Sequence, residues 1–127
     1  MAIQTEQAIR FTDRHKREYH IFPNEILYVE ADNIYCLLIC KDQNISVPYP
    51  IILMQELLPA YFIRIHRSFL VNQNFIAALY RHTIMLSNGF RLPVPVKKYQ
   101  WLKKYLAALN SSILIAACEG ISTGYPR

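Results

Sequence analysis

The stretch YFIRIHRSFLVNQNFI, from Tyr61 to Ile76, sets Arg64, His66, Arg67, Ser68 and Asn72 among Phe62, Ile63, Ile65, Phe69, Leu70 and Val71. A strand that only packs has no use for so many hydrogen-bonding groups, whereas a surface that meets phosphates and base edges does. Arg67 is the strongest candidate for direct readout, because a guanidinium can bridge O6 and N7 of guanine or clamp a phosphate through two parallel bonds. Its structural alternative is a surface arginine beside a carboxylate, but no acid lies near it in sequence. Ser68 can donate to a phosphate or satisfy the backbone at a strand break. His66 can donate to DNA or orient the turn from a half-buried position. Asn72, just before Gln73 and Asn74, reads as a structural side chain bonding its own backbone where the strand turns.

Two other clusters offer similar chemistry. Asp32, Asn33 and Tyr35 form a second loop able to reach a groove; an acid there repels phosphate, so Asn33 and Tyr35 are the candidates. Lys97 and Lys98 stand at the entry of a C-terminal helix, where ammonium groups and free backbone N–H donors can converge on an anion. Lys103 and Lys104 read as a solvated helix face. Catalysis is poorly served: no acid follows His66 and Ser68 to orient an imidazole, and there is no glycine-rich phosphate cradle. The four histidines, His15, His20, His66 and His82, form no ligand spacing with Cys36, Cys40 and Cys118. The expectation is a non-enzymatic protein with no metal and no cofactor. Cys36 and Cys40, in an apolar run, read as buried reduced thiols.

Charge is distributed unevenly along the chain. Before Leu57 five basic residues face eight acidic ones, whereas from Leu57 to Cys118 there are eight basic residues and no acid. Ordinary surfaces intersperse the two signs, so a long one-signed stretch points to a polyanionic partner. At 127 residues and 53% hydrophobic, the chain is expected to fold as one compact unit with tails. It has no apolar run long enough to span a membrane and no basic, apolar, small-residue leader pattern, so a cytoplasmic location is the default.

The elements that must position these residues are mostly short strands. Ala8–Phe11, Glu18–Phe22, Ile26–Ala31, Ile34–Lys41, Ile45–Val47, Phe62–His66, Phe69–Val71, Ile76–Tyr80, Thr83–Leu86 and Phe90–Val94 carry the apolar residues of strands between turn-forming ones. Ser87-Asn88-Gly89 is the clearest hairpin turn. The segment Pro48–Pro59 predicts a short, largely buried helix. From Pro95 a helix is predicted with Val96, Tyr99, Leu102, Leu106 and Leu109 on its apolar face and Lys97, Gln100 and Lys104 opposite. The fold class is thus mainly β, with layered antiparallel sheets, one short internal helix and a C-terminal helix. Residues 1–7 read as a flexible N-terminus, 8–109 as the folded domain and 110–127 as a tail of unknown role.

Read together, Ile26–Ala31, the run Phe62–Asn72 containing His66-Arg67-Ser68, Leu86–Gly89 and Leu92–Pro95 resemble the LytTR DNA-binding domain in order and spacing. The likeness spans about Ala8 to Leu106. It implies layered β-sheets that bind double-stranded DNA through loops reaching the major groove or the backbone. The base-contacting loops of the family would fall on Asn33 to Tyr35, on Arg67 and on Lys97. Many members carry Ser-Arg at the last of these; Pro95-Val96-Lys97-Lys98 offers a point charge without the bidentate fork. The receiver domain that often precedes such modules has no counterpart in this sequence, which suits either a stand-alone regulator or an output module alone.

The leading expectation is therefore a bacterial transcriptional regulator that binds direct-repeat promoter sites as two copies, possible as a homodimer on DNA. The alternative is a protein-interaction or ligand-sensing β domain whose basic face meets an acidic partner, with Tyr99, Trp101 and the apolar tail as its contact surface.

Overall fold

The computed structural model describes residues 6–109 and 112–116. By its internal contacts the chain divides into two compact units, Met1–Asn74 and Phe75–Arg127. Of the tails, residues 1–5, 110, 111 and 117–127, with Cys118, lie outside the described residues.

The first unit holds two sheets. Strands β1 (Ile9–Thr12) and β2 (Glu18–Ile21) form a hairpin. Strands β3 (Ile26–Asp32), β4 (Tyr35–Cys40), β5 (Asn44–Val47), β6 (Phe62–His66) and β7 (Phe69–Asn72) make an antiparallel sheet in the order β5-β4-β3-β7-β6. Its central strand β3 is buried along most of its length, as a strand with two neighbours should be. A register shift at Leu27 lets Ile26 and Val29, three residues apart, enter one core; strict alternation would have sent them to opposite faces. Phe11 and Ile21 from the hairpin join that core with Cys36, Leu38, Ile45, Val47, Phe62 and Leu70.

Helix α1 (Ile51–Leu57) contributes Met54, with Ile51 and Leu58 beside it. It is not the largely buried helix the sequence suggested, since Ile52 is 64% and Leu57 44% exposed. Its seven residues make barely two turns, so only the i, i+3 and i+7 positions can face the core.

In the second unit β8 (Ile76–Leu79), β9 (Thr83–Leu86) and β10 (Arg91–Pro93) form an antiparallel meander. The turn falls where Asn88 and Gly89 predicted it: Gly89 has φ +94°, its N–H donates to the Leu86 carbonyl, and Leu86 N–H donates to the Phe90 carbonyl. Helix α2 (Val96–Leu109) buries Tyr99, Leu102 and Leu106, while Val96 and Leu109, expected on the same stripe, are exposed because they open and close the helix. A last strand, β11 (Leu114–Ile115), pairs parallel to β8 with Ile113 buried before it, so part of the expected tail belongs to the sheet. Parallel pairing is non-local, and a two-residue strand leaves no periodicity to read.

Cys36 and Cys40 are free and buried. Burial pushes the Cys36 thiol up to about 11 against a small opposing pull from Arg64, and burial, with Glu25 and Asp42, pushes Cys40 up to about 12. Neither supplies a thiolate at neutral pH. The structural reading of Asn72 also holds. Fully buried, its amide donates to Asn24 Oδ1 and to the Ile26 carbonyl, each at 3.0 Å, and its oxygen accepts from Asn74 N–H at 2.9 Å. Replacing it leaves a buried carbonyl and an amide without partners. Asn72→Ala should cost about 1–3 kcal/mol in urea unfolding, and an unchanged midpoint would show that the amide contributes nothing net.

Candidate nucleic-acid interface

Sheet order places two predicted loops side by side. Chain direction along β3 ends at Asp32, and the antiparallel β7 begins at Phe69, opposite Glu30. The β3–β4 turn and the β6–β7 turn therefore emerge at the same end of the five-stranded sheet. Ala31 N–H donates to the Ser68 carbonyl at 2.9 Å and ties them together.

The β3–β4 hairpin closes at Asp32 and Tyr35 around Asn33 and Ile34. Asn33 takes φ +62°, a left-handed conformation that asparagine tolerates better than most residues. Ile34, at the tip, is 70% exposed. Tyr35 is half-buried, and the Arg14 guanidinium lies 5.1 Å from its ring centre.

The β6–β7 turn is more heavily braced. A register shift between Arg64 and His66 makes Ile65 an extra residue and re-aims the chain into a turn of Arg67 and Ser68. Arg64 holds that turn from beneath: Nε donates to the His66 carbonyl at 3.1 Å, one terminal nitrogen to the Arg67 carbonyl at 2.7 Å, and the other to Gln55 Oε1 on α1 at 3.1 Å. His66 Nδ1 accepts the Ser68 backbone N–H at 3.0 Å, which leaves its remaining ring proton on Nε2. The ring meets Phe69 edge to face at 5.5 Å. His66 thus binds the backbone of Ser68, not its hydroxyl, so the two do not form a nucleophile and base. Arg67 alone of the turn is exposed, and its side chain has no partner among the described residues. Arg64 belonged to the polar cluster visible in sequence, but its role as a positioning residue depends on the bulge, which the pattern did not reveal.

Lys97 and Lys98 lie in the first turn of α2, in the second unit. Lys97 is exposed and without a partner among the described residues. Lys98 is half-buried, its N–H donating to the Pro95 carbonyl and its Nζ 5.0 Å above the Trp101 ring. Of the pair, Lys97 has the freer charge.

A segment that the sequence passed over also carries charge. Between β1 and β2 the chain reads Asp13-Arg14-His15-Lys16-Arg17. Asp13 Oδ1 accepts the N–H groups of His15 at 2.8 Å and Arg17 at 2.9 Å; Oδ2 accepts Arg17 Nε and the Tyr19 hydroxyl, both at 3.2 Å. Burial raises the Asp13 pKa, but the two backbone donors, the Tyr19 hydroxyl and the Arg17 charge outweigh it and hold the carboxyl below its ordinary 3.8. The signal available in sequence was the run Arg14-His15-Lys16-Arg17 itself.

The model of the LytTr DNA-binding domain matches residues 16–107. The chain belongs to the LytTR DNA-binding domain family. Among solved structures it is similar, at 25% identity and a TM-score of 0.68, to the LytTr DNA-binding domain of a Bacillus cereus protein described as a methyl-accepting/DNA response regulator. That likeness covers 80% of this chain and 97% of the other. No curated protein matches the chain. The resemblance read from the Phe62–Asn72 run is thereby borne out, as is the mainly β fold with two helices. The LytTR family is one of DNA-binding domains that act in transcription regulation. Among the described residues no helix is long and apolar enough to cross a membrane.

Two outcomes test the bracing. Arg64→Met removes three hydrogen bonds, and the Ser68 amide should then exchange about tenfold faster, as expected for roughly 1.4 kcal/mol of lost local stability; unchanged exchange would show the turn holds itself. For Asp13, whose folded pKa is depressed, the contribution to stability is present above 3.8 and lost as pH falls through the lower folded value. A carboxyl NMR titration should place its midpoint below 3.8, with the His15 and Arg17 amides moving in step; a midpoint above 3.8 would mean that burial dominates.

Proposed function

We propose that residues 8–109 are the DNA-binding module of a bacterial, cytoplasmic transcriptional regulator that reads direct-repeat promoter sites as two copies. Arg67 reads a base edge in the major groove, or clamps a phosphate beside it. Ser68, Asn33 and Tyr35 face the same stretch of duplex from the same end of the sheet. His66 contributes chiefly by fixing the turn, with its Nε2 proton available for a phosphate. Lys97 contacts the backbone as a point charge, and Lys98 adds to the local field. The observation that carries this reading is Arg67: a free guanidinium on a turn whose backbone is fixed by Arg64, His66 and Ala31. A side chain held out on a rigid base loses little entropy on binding, which is what specific readout needs.

One observation favours an accompanying protein contact. Trp101 is exposed and stacks on Tyr105 at 5.1 Å along the outer face of α2, with exposed Leu109 beyond. Such a face suits contact between copies bound to adjacent repeats. Size exclusion with and without duplex would separate this from a salt-resistant oligomer that ignores DNA.

Arg67→Ala should cost about 1–3 kcal/mol on a selected site and relax base preference. Lys97→Ala should instead weaken every sequence alike and reduce the salt slope by about one. Fluorescence titration on selected and scrambled duplexes distinguishes the two; equal losses on both duplexes for Arg67→Ala would remove it from base readout.

A further inference from the structure

We infer that the β1–β2 turn is an additional phosphate-contacting loop, in which Arg14 and Lys16 grip the DNA backbone, and that Tyr35 is a positioning residue that holds Arg14. The inference rests on the reading of the adjacent β3–β4 turn as facing DNA.

The chain contains the same three-residue hairpin loop twice. At Ser87-Asn88-Gly89 the residue before the loop, Leu86, accepts from Gly89 N–H and donates to Phe90; at Arg14-His15-Lys16 the residue before the loop, Asp13, accepts from Lys16 N–H and donates to Arg17. The third position is left-handed in both, with φ +94° at Gly89 and +67° at Lys16. Glycine fills that position without strain in the second unit, as this loop type normally demands. In the first unit a lysine occupies it, against its backbone preference, and its side chain is exposed and has no partner among the described residues. A strained residue with a free charge at a rigid tip marks a position kept for its side chain.

The surrounding groups agree. The four donors on Asp13 leave its carboxylate saturated, and it neutralises only Arg17. Arg14 lies over the face of Tyr35, and a guanidinium stacked on a ring still directs its edge N–H groups outward. Arg14, His15 and Arg17 line an open cleft with Asn44 and Ser46, which add amide and hydroxyl donors; Asp13 also lines it, but with its oxygens already engaged. A tetrahedral anion suits this lining, because two guanidiniums and a rotatable hydroxyl supply donors from several directions at once. The contact between Arg14 and Tyr35 puts the cleft beside the β3–β4 tip, so a duplex lying on that tip brings its backbone to Arg14 and Lys16.

The test uses the full chain and a fluorescent random-sequence duplex, titrated over a series of salt concentrations. Arg14→Ala and Lys16→Gly should each lower the slope of log K against log salt by about one, with several-fold weaker binding at fixed salt on all sequences. Lys16→Gly places the residue of the second loop in the first, so circular dichroism should report an intact fold. Tyr35→Leu should lower the salt slope as much as Arg14→Ala does, with no further loss in the double variant. Unchanged slopes for both Arg14→Ala and Lys16→Gly, with Arg67→Ala still impaired, would overturn this loop and leave the proposed interface standing. An unchanged slope for Tyr35→Leu, or a further loss when it is added to Arg14→Ala, would show that Tyr35 does not act through Arg14 and overturn the positioning role. A parent chain whose duplex affinity does not vary with salt would overturn the reading on which both rest.

Discussion

The bond from Ala31 N–H to the Ser68 carbonyl continues the β3–β7 ladder one step past its last paired residues. Everything proposed for the first unit depends on that step. With β3 central and β4 and β7 on either side of it, two turns distant in sequence are forced to one edge of the sheet, about a strand's width apart. A slip of one residue between β3 and β7 would invert Tyr28 and Val71 relative to the core and carry Ser68 away from Ala31. Burial of Val29 and Leu70, both fully enclosed, specifies the register, and the register positions the loops.

Polar side chains near these loops divide by what they are engaged in. Arg64, Asn72 and Asp13 spend their hydrogen-bonding capacity within the fold: Arg64 on two backbone carbonyls and Gln55, Asn72 on one carbonyl, one backbone N–H and Asn24, and Asp13 on two backbone N–H groups, the Tyr19 hydroxyl and Arg17. Arg67, Lys16 and Lys97 spend none among the described residues. For Arg67 and Lys16 the bracing explains the freedom: an unbraced turn would fold its cation back onto the nearest carbonyl or acid. Arg67 and Lys97 also lie in the stretch from Leu57 to Cys118 that contains no acid, so the usual escape, a surface ion pair, has no partner nearby in sequence.

Much of this was legible in the sequence because it is local. Alternation and turn residues located the strands from β1 to β10 within a residue or two, and Asn88-Gly89 named its own hairpin. Arg67 stood out because a cation interrupting an apolar run has few structural uses. What escaped was non-local or depended on a departure from regularity. The bulge at Ile65 decides that Arg64 points under the turn, yet a bulge has no signature in a run that alternates well on either side of it. The parallel pairing of β11 with β8 joins segments more than thirty residues apart. Arg14 and Tyr35 meet only because the β1–β2 hairpin packs against the larger sheet, so a run of basic residues between two strands becomes a neighbour of the predicted site.

Braced turns also bear on how such a module can discriminate at all. Phosphate contacts from flexible lysines supply affinity that is nearly blind to sequence, and a chain with eight cations in its acid-free stretch has ample attraction of that kind. Discrimination requires that the correct base be met at a fixed geometry and that the wrong one leave a desolvated group unpaired. Only a side chain whose backbone cannot shift to accommodate the mismatch imposes that penalty. Arg67 satisfies the condition through Arg64 and His66, whereas Lys97, in the first turn of a helix and on a long flexible stem, does not. Base readout in this chain should therefore concentrate at the β6–β7 turn, with the lysines and the β1–β2 loop setting how tightly, rather than where, the domain holds the duplex.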